Sequence, residues 1–169
     1  NWMGPVINQR SYGEFSDLAE ELSQAGRIVT GGTQMTEGEL AKGYYCSPTV
    51  VDEVPKDHRL WKHEMFLPIT MITDAASLEE AMAIANDVDY GLTAGFYGAE
   101  SEAQWFFDNI EAGVNYANRS QGATTGAWPG YQPFGGWKGS GSSGKFAGGP
   151  YYVTLYMHEQ SQTVIKRMP

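Results

Sequence analysis

Apolar positions in the first half of the chain follow first a helical period and then strand-like runs. Residues 14–25 place apolar side chains at the i, i+3, i+4 and i+7 spacing of one helix face, which predicts a helix. These apolar residues are Phe15, Leu18, Ala19 and Leu22. Runs rich in β-branched residues then predict three strands. The predicted strands cover residues 27–30, 49–54 and 68–73.

The second half repeats this alternation. Ser77 and Glu80 match a capping box before an apolar stripe and predict a helix over about 77–88. A similar pattern from Ser101 predicts a helix near 102–111. Further strands are predicted at residues 93–97 and 113–117. Alternating strands and helices with short connections favour crossover units, so the predicted fold is α/β, a mostly parallel sheet covered by helices.

Periodicity stops between residues 119 and 149. Gly, Ser, Thr and Pro are mixed there with the aromatic residues Trp128, Tyr131, Phe134 and Trp137. A loop of about 30 residues inside a compact domain is uncommon and is usually functional or disordered. The aromatic side chains favour an ordered loop. Beyond it, a helix is predicted over residues 151–157 and a terminal strand over 162–165.

The charge and composition of the chain limit the classes of binding partner that are expected. The 169 residues include 20 acidic and 11 basic side chains, with a net charge of −9. A chain without a basic patch is a poor match for nucleic acid or for an anionic membrane surface, so neither partner is expected. Its sequence has no run long enough to span a bilayer and no signal-peptide pattern near its start. A single cysteine suits a reducing compartment, and we expect a cytoplasmic protein.

One local motif resembles a phosphate-binding loop. Residues 139–145 fit both GxGxxG and GxxxxGK, yet Phe146 stands where a phosphate loop needs a hydroxyl for magnesium. Residues 132–138 also do not resemble the buried strand that should precede either motif. A structural turn is therefore the preferred interpretation, and a phosphate-binding enzyme remains a weaker alternative.

Other candidate chemistry is sparse. No cation or helix N-terminus that would activate Cys46 is evident, so it is interpreted as a small, partly buried apolar residue. His63 and Glu64 begin an HExxH pattern, but Leu67 replaces the second histidine, so no metal site is predicted. From the residues alone, the chain is an α/β domain with a shaped loop and no visible nucleophile.

Five ordered sequence blocks together resemble the C-terminal part of the aldehyde dehydrogenase superfamily. They span nearly the whole chain, which makes the resemblance far more specific than any single block. The blocks are residues 4–7 (GPVI), 43–50 (GY..PTV), 64–68 (ExFGP), 89–95 (YGLTAG) and 133–141 (PFGG.K.SG). The resemblance implies an NAD(P)-dependent oxidation in which a cysteine thiolate attacks an aldehyde, hydride passes to the cofactor and a thioester is hydrolysed.

Within the superfamily, the late loop is most similar to the 1-pyrroline-5-carboxylate dehydrogenases, which oxidise glutamate γ-semialdehyde to glutamate. The resemblance implies that Gly126 and Ala127 bind the amino-acid end of this small aldehyde substrate. Free N–H groups at a glycine suit an anion, because no side chain blocks their approach. Phe134 would line the tunnel beside the aldehyde.

The resemblance also implies part of a site for NAD or NADP. Glu64 would accept hydrogen bonds from the nicotinamide ribose hydroxyls, and Phe66 would pack beside the nicotinamide. Leu67 departs from the usual glycine of this motif, which puts the local backbone in question. The family's catalytic cysteine, general base and dinucleotide-binding segment lie upstream of GPVI, so this chain holds no catalytic residue and is expected to be inactive alone.

The implied organisation has two parts. Residues 1–158 correspond to the C-terminal portion of the catalytic domain, and residues 159–169 to a strand that pairs with a neighbouring subunit. A homo-oligomer is therefore expected. The alternative is a standalone, non-enzymatic module of the same fold that binds a ligand or a subunit.

Overall fold

The computed structural model describes residues 3–119, 131–141, 143, 145 and 147–166. They belong to two compact units, Asn1–Ala81 and Met82–Pro169.

Helix α1, Gln9–Ala25, opens the first unit. Its N-cap is Asn8, whose side-chain oxygen accepts a hydrogen bond from the Ser11 N–H at 2.9 Å. This cap satisfies one of the free amides of the first turn, so the helix begins five residues earlier than its apolar pattern indicates. The face predicted to be apolar is the one that is buried, at Phe15, Ala19 and Leu22.

A three-stranded sheet completes this unit. Its strands are β1 (Arg27–Thr30), β2 (Thr49–Asp52) and β3 (Ile69–Met71), with β2 in the centre. Strand β2 runs antiparallel to β1 and parallel to β3. Short 3₁₀ turns at Gly38–Lys42 and Arg59–Lys62 lie in the two connections. The core between helix and sheet is formed by Leu22, Val51, Val54 and Leu60.

Helix α2, Leu78–Asn86, spans the division between the units. The second unit continues with β4 (Tyr90–Gly91), β5 (Thr93–Phe96), α3 (Glu100–Asn109), β6 (Val114–Ala117) and β7 (Trp137–Lys138). Strands β5 and β6 are parallel and α3 connects them, whereas β4 and β7 are antiparallel. The rings of Phe96 and Phe106 stack with their centroids 5.3 Å apart and pack α3 against this sheet.

The predicted α/β class with covering helices is confirmed, and five of the six predicted strands begin within one residue of their predicted start. The pairing is more mixed than expected, with two parallel and two antiparallel strand pairs among the described residues. Neither connection in the first sheet contains an α-helix, yet β1 and β2 are antiparallel whereas β2 and β3 are parallel.

Two local predictions need correction. Helix α3 begins at Glu100 behind Ala99, because the Glu102 carboxylate accepts from the Ala99 N–H at 3.3 Å and Ser101 is not the cap. The predicted helix at residues 151–157 is only a 3₁₀ turn, Val153–Tyr156. Residues 158–166 form no helix or strand within the single described chain. A strand that pairs with another subunit needs that subunit, so the terminal strand stays a prediction.

Candidate functional site

Residues 64–68 cross from a 3₁₀ turn to the sheet. On one side, Leu60 is buried in the core of the first unit, and Arg59 is ion-paired with Glu21. On the other side, the Thr49 N–H donates to the Pro68 carbonyl at 2.9 Å. Because both ends are fastened, the segment between them presents its side chains from a fixed backbone.

The Glu64 carboxylate is exposed. Within the described part of the chain it makes no hydrogen bond or ion pair. It is therefore a two-oxygen acceptor that is available for a donor from outside the chain.

Phe66 stands out in its backbone conformation and in its exposure. Its φ is +57°, in the left-handed region, and its side chain is 84% exposed. A bulky residue in this region carries strain, which is found most often at binding sites. Leu67 occupies the usual glycine position of the motif, but it does not have a positive φ. The departure is therefore accommodated without strain at Leu67 itself.

An apolar groove lies beside this segment, within the first unit. It encloses about 640 Å³ and is lined by Met3, Gly4, Pro5, Val6, Ile7, Cys46, Phe66, Leu67 and Pro68. The groove thus combines two of the sequence blocks, GPVI and ExFGP, on one apolar surface. Such a surface suits a flat aromatic group with a polar edge.

Cys46 contributes to the groove but is a poor nucleophile. Only 1% of the residue is exposed, and loss of water around the thiol raises its pKa. A raised pKa disfavours the thiolate, which is the reactive form. The geometry supports the expectation that Cys46 is not catalytic.

The predicted substrate residue Phe134 lies in the second unit, in a turn formed by residues 133–136. Phe134 is half-buried, and its N–H donates to the Ala147 carbonyl at 3.1 Å. Gly135 and Gly136, which follow, are buried. The turn is packed so closely that a Cβ at Gly113 would lie 1.8 Å from the Gly135 carbonyl oxygen. Phe134 is thus held by a tightly packed backbone.

Two further residues support this turn and are absent from the predicted site. Ser140 accepts a hydrogen bond from the Gly91 N–H through its hydroxyl at 3.1 Å. Lys138 forms an ion pair with Glu111 at 2.5 Å. A signal was present in both cases, because both residues belong to the sequence block at residues 133–141, but their partners could not be read from the sequence.

Some predicted residues lie outside the described part of the chain. Gly126 and Ala127 are among them, so their proposed contact with substrate stays a prediction. Among the described residues, no three His, Cys, Asp or Glu side chains are grouped to hold a metal ion. In the same residues, no helix has the length and apolar character needed to cross a bilayer.

The fold, the apolar groove beside Phe66 and the packed segment around Phe134 are consistent with a match to a known protein family. A family model, described as the aldehyde dehydrogenase family, matches residues 1–162. The chain therefore belongs to the aldehyde dehydrogenase family.

Individual relatives show which members of this family the chain is similar to. The chain is 38% identical over 164 residues to the 1-pyrroline-5-carboxylate dehydrogenase of Bacillus pumilus and to 1-pyrroline-5-carboxylate dehydrogenase 2 of Bacillus subtilis. Each match covers 96% of this chain and 30% of the relative. The chain thus spans about 30% of the length of the curated relatives it matches.

Comparison with solved structures leads to the same family. A 1-pyrroline-5-carboxylate dehydrogenase from Thermus with bound NAD matches with a TM-score of 0.79 and 36% identity, over 90% of this chain and 28% of that one. A betaine aldehyde dehydrogenase from Staphylococcus aureus in complex with NAD⁺ has a TM-score of 0.70 at 24% identity, over 82% of this chain and 27% of that one. The second likeness shows a shared fold.

Proposed function

We propose that this chain supplies part of the cofactor site and part of the substrate site of an NAD-dependent aldehyde dehydrogenase that oxidises glutamate γ-semialdehyde to glutamate. The observation that carries the proposal is the 38% identity to 1-pyrroline-5-carboxylate dehydrogenases over 96% of the chain. Because the chain spans about 30% of those relatives, the activity is that of the complete protein, which would supply the nucleophile and the general base.

Glu64 and Phe66 would hold the nicotinamide end of the cofactor. The free Glu64 carboxylate matches a pair of ribose hydroxyls, since its two oxygens can accept both hydrogen bonds. The exposed Phe66 ring, next to the apolar groove, offers a flat surface for the nicotinamide. When bound, NAD supplies the hydride acceptor; these two residues bind and orient it.

Phe134 would form one wall of the substrate tunnel. Its backbone is fixed by the Ala147 hydrogen bond and by the close packing of Gly135 on Gly113. A fixed aromatic wall keeps the aldehyde carbon near the reacting groups and excludes water. Gly126 and Ala127 complete the substrate site in this proposal by offering backbone N–H groups to the substrate carboxylate.

The cofactor assignment is tested by replacing Glu64. In the complete protein, we expect Glu64→Gln to raise the KM for NAD about tenfold or more, because charge-assisted hydrogen bonds to the ribose are weakened. Glu37→Gln, which changes an exposed carboxylate outside the groove, is the matched control. Equal KM values for NAD in the two variants would contradict the role of Glu64.

The substrate assignment is tested by NADH formation. We expect the complete protein to reduce NAD with glutamate γ-semialdehyde and the 169-residue chain alone to form no NADH. Cys46 is the only cysteine of this chain. NADH formation by the isolated chain would therefore make Cys46 the nucleophile and refute the assignment of catalysis to residues elsewhere in the protein.

We also propose that the protein is a homo-oligomer and that residues 159–169 contribute to its interface. Val164 and Ile165 are each 86% exposed, and Tyr156 nearby is 75% exposed. Burial of these exposed apolar side chains against a second copy is favourable, and an unpaired segment can join a sheet edge there. Sedimentation of the complete protein, with and without Val164→Asp, tests this: the variant should dissociate at concentrations where the unchanged protein remains oligomeric.

A cytoplasmic location is part of the same proposal. Cys46 is a free, buried thiol, which a reducing compartment maintains. Cell fractionation followed by immunoblotting would test it, and recovery in a secreted fraction would contradict it.

A further inference from the structure

We propose that Lys138 is a positioning residue that holds the turn at residues 133–136, and with it Phe134, by fastening β7 to the ends of helices α2 and α3. The fastening is a property of the second unit alone. Its consequence for the substrate rests on the proposed function.

The Lys138 ammonium group has three partners. Its Nζ donates to the Asn86 carbonyl at 2.6 Å and to the Val88 carbonyl at 3.3 Å, and it forms an ion pair with the Glu111 carboxylate at 2.5 Å. Two of its three N–H donors thus form hydrogen bonds, and the Glu111 carboxylate balances its charge. The side chain is only 25% exposed, which limits screening by water and salt.

These acceptors lie where two helices end. Asn86 is the last residue of α2, and the carbonyls of a final turn have no partner within the helix. A cation at this end satisfies them and complements the helix dipole. The Asn86 side chain also bonds to the Asn109 carbonyl and the Glu111 N–H, each at 2.9 Å, which joins the end of α3 to the same point. Lys138 therefore binds to a junction that is already rigid.

The backbone of Lys138 shows that this contact is constrained. Its φ is +52°, a left-handed value that lysine adopts at a cost. Main-chain bonds fix the same point: Lys138 pairs with Tyr90, and the Gly139 N–H donates to the Asp89 carbonyl at 2.8 Å. The side chain and the main chain of Lys138 thus both bind to the segment between α2 and β4.

Only three residues separate Lys138 from Phe134. Gly135 and Gly136 lie between them and are buried, and the Gly135 backbone packs directly against Gly113. This close packing leaves no room for the backbone to absorb a shift of β7. A displacement of β7 is therefore transmitted to the Phe134 ring. Because catalytic geometry tolerates little error, about 1 Å of displacement can cost a hundredfold in rate.

Two measurements on the complete protein test this proposal. The variants are Lys138→Met, which keeps the stem but removes the charge, Lys138→Arg, which keeps the charge, and Glu111→Gln, which weakens one contact. Lys42→Met is the matched control, because Lys42 forms an exposed ion pair with Glu39 in the first unit. The first measurement is amide hydrogen exchange of residues 131–141. The second is kcat/KM with glutamate γ-semialdehyde and with propanal, which lacks the amino-acid end.

We expect Lys138→Met to speed exchange of residues 131–141 about tenfold and to lower kcat/KM for glutamate γ-semialdehyde about tenfold or more. The values for propanal and for Lys42→Met should stay within about twofold of the unchanged protein. The exchange rates and kcat/KM values of Lys138→Arg and Glu111→Gln should lie between those of Lys138→Met and those of the unchanged protein. These two variants provide the test if Lys138→Met does not fold.

Unchanged exchange in the Lys138 variants would overturn the fastening. Faster exchange with equal losses for both aldehydes would overturn the positioning role and leave a purely structural one. If the unchanged protein does not oxidise glutamate γ-semialdehyde, the proposed function fails, and hydrogen exchange still decides whether Lys138 fastens the turn.

Discussion

Replacing Gly113 by alanine adds one methyl group at the point where the turn carrying Phe134 rests on the second unit. A Cβ there would lie 1.8 Å from the Gly135 carbonyl oxygen, 2.8 Å from its carbonyl carbon and 3.0 Å from the Gly136 Cα. All three are backbone atoms, so no side-chain rotation relieves the contact. The two segments must separate by about 1.2 Å before the methyl group fits.

This separation has two measurable effects. Overpacking of this kind costs about 1–3 kcal/mol, so urea denaturation should show a lower free energy of unfolding. In the proposed enzyme, the same shift moves Phe134, and kcat/KM for glutamate γ-semialdehyde should fall by up to about a hundredfold. NADH absorbance provides this second assay.

Gly13→Ala is the matched control. Gly13 lies inside α1, and a Cβ there would meet nothing within 4 Å. Alanine in a helix interior is favoured over glycine, so this variant should gain about 0.5–1 kcal/mol and keep its activity. If Gly113→Ala left both stability and kcat/KM unchanged, the close packing of the turn on Gly113 would be refuted.

Three further predictions concern the first unit. Leu22→Ala empties a fully buried core position, so urea denaturation should show a loss of about 2–5 kcal/mol, whereas the exposed Leu155→Ala should show almost none. The Arg27 guanidinium lowers the pKa of the Asp52 carboxyl in the folded protein. At acidic pH the unfolded state therefore binds more protons than the folded state. The stabilisation by this ion pair is present above about pH 4 and is lost on further acidification. Arg27→Met should make the pH dependence of unfolding shallower in that range, and an unchanged profile would contradict the pairing. Thiol reagents should label Cys46 only after urea is added, because the thiol is buried and its pKa is raised; rapid labelling of the folded protein would contradict this.

Local patterns predicted the three α-helices and five of the strands because their causes are local, but the two-residue strands β4 and β7, which pair with each other from distant parts of the chain, were not predicted. The apolar spacing of α1 and the Ser77 cap of α2 each depend on residues within two turns of one another. Boundaries were less accurate. The Glu80 carboxylate accepts from the Ala76 N–H at 2.7 Å and not from Ser77, and such choices depend on the exact path of the chain.

The sites were predictable only in part. Glu64, Phe66 and Phe134 were identified through resemblance, since an exposed carboxylate and two aromatic residues have no distinctive spacing of their own. The roles of Lys138 and Gly113 were missed because both roles depend on distant partners. A glycine at the start of a strand gives no sign of the carbonyl that will rest on it 22 residues later in the chain.

The bonds that fasten the turn join residues far apart in sequence: Gly91 to Ser140 across 49 residues, and Asn86 to Lys138 across 52. The chain from α2 to β6 can fold from local contacts during synthesis, but β4 must wait for β7 to leave the ribosome. Closing so long a loop carries an entropy cost that is recovered only when both ends are in place. Until then, β4 is an unpaired strand edge in the newly made protein, and unpaired edges are where nascent chains can pair wrongly with one another.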